Sequence, residues 1–309
     1  MSRQAAAGLP ANLVVFERGW LSSNNILFIG ADETALVDTG YVTHAGQTLA
    51  LVESALGTRP LDRVLNTHLH SDHCGGNAAL QQRYAGLRTD VPPGEAPLVE
   101  RWDESKLSFL ATGQICPRFR FTGLLRPGSE CKLGGTPWQV HGAPGHDPHS
   151  IILFDPASRT LISADALWEN GFGVAFPELA GEPSFGDVAA TLDRIEVLAP
   201  LHVIPGHGSV FDDVASALAI ARRRLDGLQR DPVKHARHAI KVLMKFKLLE
   251  VQSIAFGDWE AWLQSAAYLG MIHSRFFAGV ELRQLTGDIL AELASAGAAE
   301  IHASGIRNI

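Results

Sequence analysis

Thr67-His68-Leu69-His70-Ser71-Asp72-His73-Cys74-Gly75-Gly76 places three histidines and an aspartate within six residues. The stretch follows Arg63-Val64-Leu65-Asn66, which reads as a short buried strand. It precedes a helix-like segment, Asn77 to Arg83, opened by the Gly-Gly pair. Side chains two apart on extended backbone fall on one side, so His68 and His70 share a face. Asp72 and His73 come from the turn that follows and can face the same pocket. Imidazole and carboxylate are the ligands that suit Zn²⁺ and related divalent ions, and four of them in one tight turn have little other use.

Further donors lie downstream. His146 stands in Pro144-Gly145-His146-Asp147, Asp165 follows the strand-like Leu161-Ile162-Ser163-Ala164, and His207 stands in Pro205-Gly206-His207-Gly208 after His202-Val203-Ile204. Each is a lone His or Asp at a strand end, beside a glycine or small residue where backbone must pass close to something.

His-x-His-x-Asp-His, followed at these intervals by His, Asp and His, resembles the metallo-β-lactamase-fold hydrolase superfamily. The resemblance covers roughly residues 12 to 230, in five segments that match in order. It implies that His68, His70 and His146 bind one metal ion and that Asp72, His73 and His207 bind a second. Asp165 would bridge the two. Zinc is the expected metal, with iron or manganese as alternatives, because nitrogen and carboxylate ligands suit all three. Such a pair of ions lowers the pKa of bound water and polarises the carbonyl or phosphoryl oxygen under attack. Asp72 is expected to pass a proton to the leaving group, as its counterpart does in related lactonases.

Val37-Asp38-Thr39-Gly40 resembles the superfamily's first motif, in which the aspartate orients a ligand imidazole without touching metal. The plainer alternative for Asp38 is the cap of a helix expected from about His44 to Leu56. The segments around Asp165 and His207 look most like glyoxalase II and its thioesterase and lactonase relatives. A carboxylate at Asp165 sets the chain apart from true β-lactamases of this fold. One departure stands out. Those relatives follow the third histidine with Thr/Ser-Pro-Gly-His, whereas this chain has Asp147-Pro148-His149-Ser150. His149 is expected to support the site or lie on the surface, not to serve as a further ligand. Cys74 reads as a small packing residue. Trp168, Phe172 and Phe176, among glycines after Asp165, are candidates for a substrate pocket that suits an apolar acyl chain, with a role in capping the core as the alternative.

The composition bounds these readings. The chain has 309 residues, 46% hydrophobic and 19% charged, enough apolar content for a large core. Its three cysteines are an odd number for a large domain and point to reduced thiols. Met1 to Pro10 shows no apolar core of a signal peptide, and Ala261 to Ile272 is too short to span a bilayer. A cytoplasmic protein without membrane contact is the expectation.

Short apolar runs at Leu13 to Phe16, Ile26 to Ile29 and Thr34 to Val37 read as strands. So do Lys132-Leu133, Trp138 to His141, Ile151 to Phe154 and Thr160 to Ser163. Helices are expected from about Phe185 to Leu198 and Val214 to Leu228. Ala111 to Arg126 is taken as surface loop, with a lid or an oligomer contact as alternatives, and a homodimer stays open. Strands in two batches, each closed by helices, imply an α/β (α+β) fold, an αββα four-layer sandwich over 1–230. A helical extension follows over 231–309, faintly similar to a winged-helix appendage.

Net charge is −7, but Arg222 to Lys247 carries nine Lys/Arg against Asp226 and Asp231, so that segment is +7 and the remainder −14. Lys234, His238, Lys241 and Lys245 recur at helical spacing opposite Ala236, Ala239, Ile240, Leu243 and Phe246. The basic face is read first as solvated, then as a dock for an anionic substrate handle or RNA.

Three functions compete. The leading one is hydrolysis of an ester-type bond (thioester, lactone or ester) in a small-molecule acyl substrate, with glutathione or CoA as an anionic carrier. The runner-up is an endoribonuclease or other phosphodiesterase that holds RNA on the basic segment. The acidic remainder disfavours nucleic acid. The third is a non-catalytic ligand sensor.

Overall fold

A computed structural model of the chain describes residues 8–309. Residues 1–7, on which much of the signal-peptide reading rests, lie outside the described residues. The first half comprises β1 (Leu13–Phe16), β2 (Asn25–Ile29), β3 (Thr34–Val37), α1 (Ala45–Leu56), β4 (Arg63–Leu65) and the single turn α2 (Ser71–Cys74). It continues with α3 (Asn77–Arg83), β5 (Arg88–Val91), α4 (Ala96–Arg101) and β6 (Gly123–Leu124). These six strands lie side by side in chain order, antiparallel from β1 to β3 and parallel from β3 to β6.

The second sheet runs through β7 (Glu130–Leu133), β8 (Thr136–Gly142), β9 (Ile151–Asp155), β10 (Thr160–Ala164) and β11 (His202–Pro205). Neighbours are antiparallel except for the β10–β11 pair. Helices α5 (Phe176–Ala180) and α6 (Phe185–Leu198) lie between those two strands in sequence, and α7 (Val214–Arg230) follows.

Both faces of each sheet are covered, which explains why the strands read as continuous apolar runs rather than clean alternations. On β1 and β2, Leu13, Val15, Ile26 and Phe28 turn inward to meet Trp138, Val140, Leu153 and Ile162 of the second sheet. Phe16, Leu27 and Leu36 turn outward onto Val52 and Leu56 of α1 and Leu80 of α3. Ile152, Phe154, Leu161 and Val203 face out beneath α6 and α7. The αββα sandwich follows from this two-sided burial.

Strand β5 was not anticipated. Its sequence, Arg-Thr-Asp-Val, is too polar to signal a buried strand. Asp90 is neutralised by an ion pair with Arg63 on β4, and the fully buried Val91 contributes about 1.5–3 kcal/mol.

The segment expected as surface loop, Ala111 to Arg126, is not free. Cys116, Phe119 and Leu125 are buried, and residues 123–124 add an edge strand to the first sheet. Its apolar residues are too irregularly spaced to show a period.

Beyond α7 the chain continues through α8 (Pro232–Val251), β12 (Ser253–Ala255), α9 (Phe256–Ser265), α10 (Ala267–Phe276), α11 (Leu282–Ser295), β13 (Ala299–Ile301) and β14 (Gly305–Asn308). Asp231 caps α8 by accepting from the Lys234 N–H at 2.9 Å, with Pro232 in the first turn. The extension is helical as expected, with a three-stranded antiparallel sheet, order β12-β14-β13, added to it. These strands have three or four residues each, too short to stand out from helical periodicity. Ala236, Ala239, Ile240 and Leu243 of α8 bury against the later helices and against Val174 and Leu179 beside α5. No helix among the described residues is long and apolar enough to cross a membrane.

Candidate metal centre

Strands β8, β10 and β11 run in the same direction, as do β3 and β4, and the segments leaving their C-terminal ends carry the singled-out side chains. After β4 the backbone passes through Asn66 and Thr67, buries His68 and Leu69 completely, and leaves His70 partly accessible. The α2 turn then presents Asp72 and His73. Asn66 Nδ2 donates to the His73 carbonyl at 3.1 Å and the Thr39 N–H donates to it at 2.8 Å, which pins the turn. Gly76 permits this contact, since a Cβ there would lie 2.5 Å from the Thr39 carbonyl oxygen.

Three donor groups form, each with its ligand atoms within 4.8 Å of one another: His68/His70/His146, His68/His73/Asp165 and Asp72/His73/His207. His70 Nδ1 lies 3.1 Å from His68 Nε2 and 2.8 Å from His146 Nε2. His207 Nε2 lies 3.1 Å from Asp72 Oδ2. Asp165 stands between the groups, with Oδ2 3.4 Å from His146 Nε2 and Oδ1 3.4 Å from His73 Nε2. Space for this carboxylate depends on Gly206, where a Cβ would fall 2.2 Å from Asp165 Oδ1. A register shift beside Ala164, itself at φ 47°, aims Asp165 off the strand.

Neighbouring groups decide which ring nitrogens face the centre. His146 Nδ1–H donates to the Val174 carbonyl at 2.6 Å, which turns bare Nε2 inward. His73 Nδ1–H donates to Asp38 Oδ2 at 2.8 Å. Asp38 also accepts from the Thr67 N–H at 2.9 Å and the Thr67 hydroxyl at 2.8 Å. It does not cap α1; its backbone sits at φ 56°, a conformation held by these bonds. His73 Nε2 is buried with no hydrogen-bond partner.

The charges have the form a cation needs. Burial lowers the pKa of His68 and His70, and takes His146 to about 4, so these rings are neutral with lone pairs free. Burial works against the ionised form of Asp165, yet His73 and His207 hold it well below the usual carboxylate range. Burial likewise opposes ionisation of Asp72, which His73 and His207 nevertheless lower. His73 is raised well above an ordinary imidazole against the pull of burial, because Asp165, Asp38 and Asp72 converge on it. The neutral imidazoles of His68, His70 and His146, with Asp72 and Asp165 crowding a His73 whose inward Nε2 has no hydrogen-bond partner, fit divalent cations.

The cluster lies at the edge of a cavity of about 580 Å³. Trp168 and Phe176 line it. The Phe176 ring lies 5.4 Å from that of His70, and Trp168 Nε1–H donates to Asp165 Oδ1 at 3.3 Å. Phe172 does not line the cavity. At 1% exposure it packs into the outer core beneath α6 and α7, with the Arg224 guanidinium over its ring. His149 stands outside the cluster, with an exposed side chain lying against Gly94. Asp147, its neighbour, is the buried one, and burial raises both it and Glu95 nearby. Cys74 is fully buried with its sulfur 3.7 Å from that of Cys116, in keeping with a packing role.

Several cavity residues were not singled out for the pocket in the sequence. Trp20, from the loop after β1, stacks on His207 with centroids 5.3 Å apart. Gln114 reaches the metal turn through Ser71. Arg224, Val242, Phe246 and Tyr268 line the side away from the sandwich.

Comparison with known proteins agrees with this fold. A sequence profile of the Metallo-beta-lactamase superfamily matches residues 18–207. A hydroxyacylglutathione hydrolase of Anaeromyxobacter dehalogenans is 31% identical over 214 residues, covering 67% of this chain and 70% of that protein. A probable metallo-hydrolase of Methanocaldococcus jannaschii is 26% identical over 208 residues, covering 64% and 93%. In structure, a β-lactamase domain protein from Burkholderia ambifaria matches over 98% of this chain and 94% of its own, with a TM-score of 0.59 at 22% identity. TTHA1623, solved in a di-iron-bound form, matches over 68% and 96% with a TM-score of 0.52 at 28% identity.

Proposed function

The chain belongs to the metallo-β-lactamase superfamily, and from that premise we propose that it is a dinuclear metal-dependent hydrolase of thioesters, lactones or simple esters. The observation that carries this is Asp165, whose two oxygens each lie 3.4 Å from the inward nitrogen of a different histidine, beside a cavity able to admit a substrate. His68, His70 and His146 would hold one divalent ion and Asp72, His73 and His207 the other, with Asp165 shared. Zinc fits this donor set, and so does iron, the metal of the TTHA1623 structure. When bound, the pair supplies a lowered pKa for water and polarisation of the oxygen under attack.

The chain's own residues do the rest. Asp38 fixes the ring of His73 through Nδ1. Asp72 lines the cavity, is held in its ionised form, and is the group we assign to take the proton that the attacking water gives up and pass it to the leaving group. Trp20 and Trp168 pack on His207 and shield that side from water. The carrier part of the substrate is anionic, of the glutathione or CoA kind. Arg224 lines the cavity, bonds His238 Nε2 at 2.9 Å and has no carboxylate partner among the described residues, and is the group we assign to meet that charge. Relatives that include a hydroxyacylglutathione hydrolase support this assignment. We take 1–230 as the catalytic domain and 231–309 as an appendage that walls the cavity. Buried free thiols at Cys74, Cys116 and Cys131 suit a reducing, cytoplasmic setting.

Phosphodiester cleavage along RNA draws little support. Arg237 and Lys241 of α8 are both engaged by Glu292, and Lys245 donates to the Ala298 carbonyl and to Asn308 at 2.6 Å each. A sensor has no need of a full donor set. The test is a panel of thioesters, lactones, esters and phosphodiesters offered to metal-loaded protein. Turnover of the ester-type compounds is expected; turnover of phosphodiesters alone would sink the reading.

A further inference from the structure

The cavity is far larger than a two- or three-carbon acyl group requires. Its volume of about 580 Å³ falls in the range that holds drug-sized ligands. The wall away from the sandwich is largely α8, where Val242, Leu243, Phe246 and Leu249 share one face. Phe176 and Tyr268 complete it, with ring centroids 5.5 Å apart. The apolar surface begins at the donor cluster itself, since the Phe176 ring sits 5.4 Å from His70 and 5.6 Å from His146.

The polar tips along this wall are turned away to protein partners. Lys241 pairs with Glu292. Lys245 donates to the Ala298 carbonyl and Asn308 at 2.6 Å and to the Ile309 carbonyl at 3.0 Å. The Tyr268 hydroxyl donates to the Phe176 carbonyl at 2.6 Å. Arg224 and His238 also line the cavity, 2.9 Å apart; from Val242 to Leu249 what faces it is methylene and ring surface, whose burial against an apolar ligand is favourable.

We propose that this wall is an acyl-chain subsite, and that the substrate carries an unbranched hydrocarbon chain of medium length between α8 and the Phe176–Tyr268 pair, its carbonyl at the donor cluster. The proposal rests on the hydrolase reading above for the bond that is cut, but not for the chain that is bound.

The experiment uses full-length, metal-loaded protein with acetyl, butanoyl, octanoyl and dodecanoyl thioesters of one thiol. From acetyl to octanoyl, kcat/KM should rise about two- to fourfold per added methylene. Val242→Trp, which fills the wall, should cut the octanoyl-to-acetyl ratio by about tenfold or more. Leu249→Trp is the second filling variant should the first fail to fold. A flat chain-length profile overturns the subsite and leaves the hydrolase standing. Calorimetric binding of dodecanoate, weakened in the filling variant, without turnover of any thioester, lactone or ester, upholds the subsite and overturns the hydrolase.

Discussion

The metal turn after β4 and the long helix α8 face each other across one cavity, yet they are built on different principles. The turn owes its donors to local backbone: two histidines flank Leu69, and a single helical turn follows, held by Asn66 and Thr39. Helix α8 owes its role to distant packing. Lys241 would read as a solvated cation on any helical projection, but Glu292 of α11 draws its charge aside. Candidate metal ligands can thus be written in a short motif, whereas the wall of the cavity is composed from several elements.

Substitutions on the two sides should therefore behave differently. The largest effect is expected at the turn. His70→Ala removes a donor, and losing several kcal/mol of electrophilic stabilisation lowers kcat/KM on the order of a thousandfold or more. Circular dichroism should be unchanged, since His70 carries no core packing. An active His70→Ala protein would erase the distinction between turn and wall.

Asp38→Asn comes next. Asparagine tolerates the positive φ at this position, but its amide no longer offers a charge to His73 Nδ1–H. Metal affinity and activity should fall by about 10–100-fold, measured by metal competition and steady-state rates. A fall in melting temperature without loss of metal affinity would make Asp38 a prop for the turn alone.

The smallest effect concerns α8. His235, 1% exposed, has its pKa lowered to about 4 by burial and then by Arg224. In the unfolded chain it binds a proton near the ordinary pKa of about 6.5. Between those values the unfolded state holds more protons, so stability rises with pH across the window and is lost on acidification. The slope is up to about 1.4 kcal/mol per pH unit. His235→Leu should flatten it in denaturant titrations and leave metal content unchanged. A variant with the parental slope would place the acid sensitivity elsewhere.

Legibility in the sequence followed the same divide. The seven candidate donors and Asp38 stood out through motifs that resemble the superfamily's, and most strands of the sandwich through local apolar runs. Strand β5 was hidden by its charges, and β13 and β14 by their brevity. Phe172 looked like a pocket residue because it shares a glycine-rich loop with Trp168 and Phe176. Which of the three turns inward depends on where Arg224 and α6 lie. Trp20 was invisible for a related reason: its partner is His207, far along the chain. His149, where the chain departs from its relatives' motif, lies exposed as the surface reading had it, while Asp147 is buried beside His146.

Everything on the reactive side depends on the donors being a home for two cations. Elemental analysis of the purified protein, repeated after chelation and reloading with zinc or iron, tests this directly. The account predicts two transition-metal ions per chain, falling to one or none in the His70→Ala variant. A chain that binds no metal and takes up none on reloading would contradict it.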